Sequence, residues 1–210
     1  MGFVNTVLCS SITRTAALHM GRIRRAILCA AALTVTVAMT APVWASGPTW
    51  QACFTPGQDC TGLIVSEIAH ARSEILVQAY SFTSVPILSA LKAAHERGVD
   101  EEVIVDKTSA RVSKSGSRYS AATYLSNAGI PVWVDTTVSI AHNKVMVLDR
   151  STVITGSFNF TAAAQNRNAE NLLVIRDGTL ANEYRDNWRR RQAVSVPYSG
   201  PLGSGSSPTE

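Results

Sequence analysis

Apolar positions along the chain follow two rhythms, one of period two and one of three to four residues, and they alternate in blocks. Trp50–Phe54 reads as a first strand, closed by the turn signal Pro56-Gly57. Thr61–Arg72 reads as a helix, with Leu63, Ile64 and Ile68 near helical spacing. Glu74–Tyr80 is a buried strand, and Val85–Arg97 is a helix opened by Pro86 and stopped by Gly98. Glu102–Asp106 gives a further strand. After a Ser-rich loop come a helix at Ser120–Asn127, a break at Gly129 and a strand at Pro131–Asp135. Two short strands follow, Asn143–Leu148 and Thr152–Thr155, then a helical turn near Thr161–Gln165 and a strand at Asn171–Arg176. Thr179–Arg191 is the last helix, carrying Leu180, Tyr184 and Trp188 at four-residue spacing. Strands interleaved with helices predict an α/β fold: a mixed, mostly parallel sheet flanked by helices on both faces.

The ends of the chain read differently. Arg22, Arg24 and Arg25 precede an apolar run from Ala26 to Met39 and then Pro42-Val43-Trp44-Ala45, the pattern of a signal peptide cut after Ala45. The run is too short for a comfortable transmembrane helix, which needs about 20 residues. Residues 1–45 are therefore expected to be a leader, 46–194 the folded domain, and 195–210, rich in Gly, Ser and Pro, a disordered tail. Setting the leader aside changes the charge picture. Four of the 19 basic residues and none of the 15 acids lie in it, so the remaining chain is formally neutral. Overall basicity thus carries no case for nucleic-acid binding, and only local patches can. Of the four cysteines, Cys53 and Cys60 lie beyond the leader and flank the Pro-Gly turn. A disulfide between them suits an oxidising compartment, and no CxxC or HExxH suggests a metal site.

Candidate chemistry concentrates between Ser139 and Asn159, in the stretch SIAHNKVMVLDRSTVITGSFN. Alternation on a strand puts His142 and Lys144 on one face, with Cα atoms about 6.6–7 Å apart, within reach of one phosphate. Val145 and Val147 point the other way, into a core. The full pattern is His-x-Lys, four residues, Asp149, six residues, Gly156-Ser157-x-Asn159.

That pattern resembles the HKD signature of the phospholipase D superfamily, with every position filled. The chain is similar to the small, single-motif, chelator-resistant bacterial nucleases of that superfamily from roughly Thr49 to Arg191. Ala79-Tyr80-Ser81-Phe82-Thr83, Arg97-Gly98-Val99, Phe160 after the motif, and Asn168-Ala169-Glu170-Asn171 belong to the likeness. The resemblance implies that one histidine attacks phosphorus while a second protonates the leaving oxygen from the opposite side. In-line displacement cannot draw both from one motif copy, so a homodimer sharing one site is expected. It further implies that Lys144 and Asn159 bind non-bridging oxygens, with Gly156 and Ser157 beside them and Ser157 donating a further hydrogen bond. Glu170 is expected to orient the imidazole, and Asp149, at a turn, to support the site. No cofactor or metal is implied.

Lys107, Arg111, Lys114 and Arg118 punctuate the Ser-rich loop and are candidates for holding a nucleic-acid backbone, a solvated loop being the plainer reading. Arg185 and Arg189–Arg191 suit the end of a helix, and His70 and His95 read as structural. These readings converge on an exported, periplasmic or secreted, metal-independent endonuclease of DNA, with RNA as a further candidate and no stable membrane association. A phospholipase D acting on lipid headgroups and a non-catalytic nucleic-acid-binding protein are the alternatives.

Overall fold

The computed structural model describes residues 47–110 and 120–200. The leader, Arg111, Lys114, Arg118 and the last ten residues lie outside the described residues. In chain order the elements are β1 (Thr49–Thr55), α1 (Cys60–His70), β2 (Glu74–Ala79), α2 (Val85–Glu96), β3 (Asp100–Asp106), α3 (Ala121–Asn127), β4 (Val132–Asp135), β5 (Lys144–Leu148), β6 (Thr152–Gly156), α4 (Ala162–Asn166), β7 (Glu170–Arg176), α5 (Gly178–Gln192) and β8 (Val196–Pro197). Every helix and strand expected from the sequence is present, with boundaries moved by a residue or two. Side-chain caps set several helix starts. Asp59 accepts from Gly62 N, Ser120 from Thr123 N, Thr161 from Ala164 N, and Asp177 from Thr179 N and Leu180 N.

The strands form one eight-stranded sheet in the order β1-β7-β6-β5-β2-β3-β4-β8. It is mixed and helix-flanked, as expected, but it is not mostly parallel. Only β2–β3 and β3–β4 pair in parallel; the other five neighbouring pairs are antiparallel. Connection length explains the difference. Helices α2 and α3 provide the long crossovers that parallel neighbours need, whereas the short turn from Leu148 to Thr152 permits only an antiparallel hairpin.

Alternation sends the two sides of each strand into two cores. One side carries Val77, Val103, Val105, Met146, Ile154 and Val174 against Ile64 and Ile68 of α1, Ile87 and Leu91 of α2, and Leu125 of α3. The other carries Leu76, Ile104, Val145, Val147 and Val153 against Ala181 and Trp188 of α5. Helix α5 is fastened by the Trp188 indole, which donates to Val77 O at 2.9 Å, and by four ion pairs: Arg185–Glu74, Arg189–Glu74, Arg189–Glu102 and Arg191–Asp135. Three of the arginines that suggested only a basic helix end, Arg185, Arg189 and Arg191, thus clamp α5 to the sheet. Pairing of Trp50 with Ile175 and of Phe54 with Asn171 places both aromatics on the α5 side, at the β1 edge, where they are 71% and 56% exposed.

Order also continues past the expected domain end. Val196–Pro197 pair antiparallel with β4, Tyr198 N donates to Val132 O, and the Tyr198 hydroxyl bonds to Thr123. The stretch expected to be disordered from Ser195 is therefore packed at its start; a proline suits such an edge strand. Cys53 and Cys60 form the expected disulfide and link β1 to the start of α1. The loop it closes also holds α4: Gln165 Nε2 donates to Gln58 O and Thr61 N donates to Gln165 Oε1, while Thr55 Oγ1 donates to Ala164 O. Among the described residues no helix is long and apolar enough to cross a membrane.

Glu101 departs from the pattern. It points into the same core as Val103 and Val105, is 1% exposed, and neither carboxyl oxygen has a hydrogen-bond partner among the described residues. Burial pushes its pKa up to about 8, the Arg97 charge acting against this and the Asp100 charge adding to it. A carboxyl whose folded pKa is raised contributes stability that is complete below its unfolded value and is lost as pH rises through the folded value. Thermal denaturation is therefore expected to show a decline in Tm between about pH 5 and pH 8 that Glu101→Gln largely abolishes. A parallel decline in the two proteins would contradict a protonated Glu101.

Candidate active site

The sequence motif converges at one edge of the sheet. Lys144 opens β5 opposite Ala79 at the end of β2, Gly156 ends β6, and Glu170 opens β7. Three neighbouring strand ends thereby bring together residues up to 26 positions apart. His142 sits just before β5, in a segment pinned on both flanks. Ala141 N donates to the buried Asp106 carboxylate at 2.8 Å, and Asn143 O accepts from Tyr80 N at 2.8 Å. The imidazole itself is exposed.

Lys144 differs from a surface lysine in every respect. It is 6% exposed; its Nζ lies 3.0 Å from His142 Nδ1, donates to His142 O at 2.9 Å, and stands 5.0 Å from the centroid of the Tyr80 ring. Burial lowers its pKa, and the Glu170 carboxylate works in the opposite direction. The Tyr80 ring also packs against the His142 ring at 4.4 Å between centroids. Tyr80 was visible in the sequence only as part of a matching segment. Its place at the end of a buried strand beside the histidine is the signal that identifies it.

Asn159 is set by its neighbours. Phe158 and Phe160 are fully buried on either side, and Phe160 O accepts from Thr83 N and Ser84 N. The half-buried Asn159 amide between them has an enclosed Oδ1 without a partner among the described residues. An enclosed acceptor oxygen cannot bond a phosphate oxygen, so any donor role of this amide falls to its Nδ2. Gly156 has φ +150°, and a Cβ there would stand 2.3 Å from Asn171 O, so only glycine lets β6 turn this closely over β7. That turn lets Ser157 N and Phe158 N both donate to Asn171 O.

Two expected roles are reassigned. Glu170 does not orient the imidazole here: its carboxylate accepts from Ser157 Oγ at 2.6 Å and from Asn168 Nδ2 at 2.9 Å. The Ser157 hydroxyl accordingly spends its proton on Glu170 and accepts from Asn171 N, instead of presenting a free donor to a phosphate. Lys107 is also engaged, donating to Val138 O and bracing the loop that leads to His142.

Asp149 is not part of this edge. The length of β5 separates it from Lys144, and it closes the hairpin at the opposite end with φ +51°. Its carboxylate accepts from Arg72 N, Ser73 N, Glu74 N and Ser73 Oγ, tying the β5–β6 turn to the start of β2. Burial pushes its pKa up, but the backbone donors of Ser73, Glu74 and Arg72 and the Ser73 hydroxyl outweigh it, leaving the carboxyl below its ordinary range. A carboxylate with a lowered folded pKa stabilises above its unfolded value of about 4 and loses that contribution as pH falls through the folded value. Asp149→Asn, which tolerates the positive φ, is expected to lower Tm by several degrees at pH 7, with the gap to the parent narrowing below about pH 4. Turnover at 25 °C should stay within about threefold of the parent; a loss comparable to that of a Lys144 variant would return Asp149 to the chemistry.

Among the described residues no group of three or more His, Cys, Asp or Glu side chains is placed to hold a metal ion. Comparison with known proteins bears on the family. The family model described as "Cardiolipin synthase, PLD-like domain" matches residues 64–191. A protein of Rickettsia felis named "Phospholipase D" is 43% identical over 141 residues, covering 67% of this chain and 68% of its own. The "Mitochondrial cardiolipin hydrolase" of Mus musculus is 28% identical over 153 residues, 72% of this chain and 67% of its own. Among solved structures, the phospholipase D family member Nuc from Salmonella typhimurium superposes with a TM-score of 0.67 at 37% identity, covering 72% of this chain and 98% of its own. With the His142–Lys144–Asn159 constellation at the strand ends and these likenesses across the domain, the chain belongs to the phospholipase D superfamily, and its single motif fits the Nuc-like branch.

Proposed function

We propose that this protein is an exported, homodimeric phosphodiesterase that cleaves the backbone of DNA, and of RNA where it meets it, without a metal ion. The observation that carries the reading is an exposed His142 imidazole whose Nδ1 faces a buried Lys144 ammonium at 3.0 Å. With Nδ1 turned inward, Nε2 is the ring nitrogen left to meet phosphorus. Attack forms the Nε2–P bond and breaks the bond from phosphorus to the leaving oxygen, giving a phosphohistidine. The His142 of a second chain, on the far side of the phosphorus, gives its proton to that oxygen. It then takes a proton from the water that hydrolyses the intermediate. Lys144 and the Asn159 amide stabilise the charge that grows on the non-bridging oxygens.

The Lys144–His142 contact opens for either role. The attacking ring is neutral, with its proton on Nδ1 and its lone pair on Nε2; the ring across the phosphorus is an imidazolium, which gives its Nε2 proton to the leaving oxygen and is left neutral to act as the base. Export is supported by the Cys53–Cys60 disulfide and by the leader pattern of residues 1–45. One observation favours a second substrate, a phospholipid headgroup ester: relatives at 43% identity carry the name "Phospholipase D".

Digestion of supercoiled plasmid in excess EDTA separates these readings. The parent should nick and degrade it, and His142→Ala should lower the rate at least about 1,000-fold. An intact plasmid together with choline release from phosphatidylcholine vesicles would favour the lipid reading. The shared site has its own signature. Dimers assembled from equal amounts of parent and His142→Ala chains should retain about a quarter of the parental activity, because both histidines must be intact. Retention of half would mean that each chain works alone.

A further inference from the structure

We propose that Tyr80 is a positioning residue for the catalytic pair, its ring serving as the platform that holds the His142 imidazole and the Lys144 ammonium in register. The inference rests on the reading of His142 and Lys144 as that pair, and it adds a residue to which neither the motif nor the comparisons give a role.

The backbone of Tyr80 is fixed at both ends. Its N–H donates to Asn143 O at 2.8 Å, and its carbonyl accepts from Ser109 Oγ at 2.5 Å. It directly follows Ala79, which pairs with Lys144 across β2 and β5. These bonds hold its Cα beside the residues the ring touches. It lies 4.4 Å from the His142 ring, tilted by 52°, and 5.0 Å from Lys144 Nζ. An aromatic face carries negative charge density and attracts the ammonium, offsetting part of the cost of burying it.

The imidazole is otherwise exposed, and Glu170 is bonded to Ser157 and Asn168. Once a phosphate takes Lys144, Tyr80 is the contact that remains, among the described residues, to keep the ring in its attacking rotamer. Displacement of a nucleophile by about 1 Å is enough to cost roughly 100-fold in rate. Tyr80 also walls a cavity of about 590 Å³ that Phe82, Leu88 and Tyr124 line. Loss of the ring therefore gives the imidazole room to turn aside. The working part is the face of the ring and not its hydroxyl.

The test combines hydrolysis of bis(p-nitrophenyl) phosphate in EDTA with ¹⁵N NMR of the His142 ring in the same proteins. Tyr80→Phe keeps the face and should stay within about twofold of the parent in kcat and KM. Tyr80→Leu should lower kcat by roughly 30- to 100-fold, leave KM within about threefold, and broaden or average the His142 ring shifts. If Tyr80→Leu does not fold, Tyr80→Trp, which keeps an aromatic face in altered geometry, should give an intermediate loss of kcat and displaced ring shifts. Parental kcat and ring shifts in the leucine variant, or in the tryptophan variant where it stands in, would overturn the proposal. So would a phenylalanine variant as impaired as the leucine one. The NMR readout requires no turnover, so a parent inactive on the ester would count against the catalytic reading while the hold of Tyr80 on His142 was still decided.

Discussion

Everything at the candidate site depends on the register of β5 between β2 and β6. Ala79 opposes Lys144 on one side, and Val145 opposes Thr155 on the other. Those pairings put the ammonium at the edge of the sheet on one face and bury Val145 and Val147 on the other. A slip of one residue would exchange the faces, driving the lysine into the α5 core and valines into the site. Two cores of different composition therefore enforce the position of a single charged side chain. The anchor at the other end of the hairpin, Asp149 over the N–H groups of residues 72–74, opposes the same slip from below.

The electrostatics are consistent with this division. Buried charges on the α5 side are paired, with Glu74 and Asp135 each meeting arginines, so they act as fasteners. Incompletely bonded polar groups sit at the catalytic edge in Asn159 and, away from it, in Glu101. Lys144 is intermediate: buried like a structural residue, yet bonded among the described residues only to its neighbouring histidine and an aromatic face. Desolvation of that kind makes a cation respond strongly to an arriving phosphate.

Much of this was legible in the sequence. Period-two runs and their punctuation place the strands, and the His-x-Lys spacing puts both side chains on one face. The parallel content was overestimated because strand–helix alternation looks alike whether the helix makes a crossover or merely fills a connection. The role of Asp149 was misread because a spacing along the chain does not say which end of a strand a residue occupies. Ser157 and Glu170 were found, but not that they bond to each other, since a pair 13 positions apart depends on how β6 and β7 lie side by side. Tyr80 was hidden for the same reason: its contacts exist only once β2 and β5 are neighbours.

The pinning of the His142 segment by Asp106 and Tyr80 has a consequence for how such a protein diversifies. Strand ends hold the reacting groups, and the connection 136–141 leads to them without supplying a member of the catalytic pair. Insertions or deletions there can reshape what is admitted to the edge of the sheet while leaving the reaction untouched. Substrate choice is then free to vary with loop length on a lineage's own timescale, and the phosphoryl-transfer machinery is inherited as a fixed part.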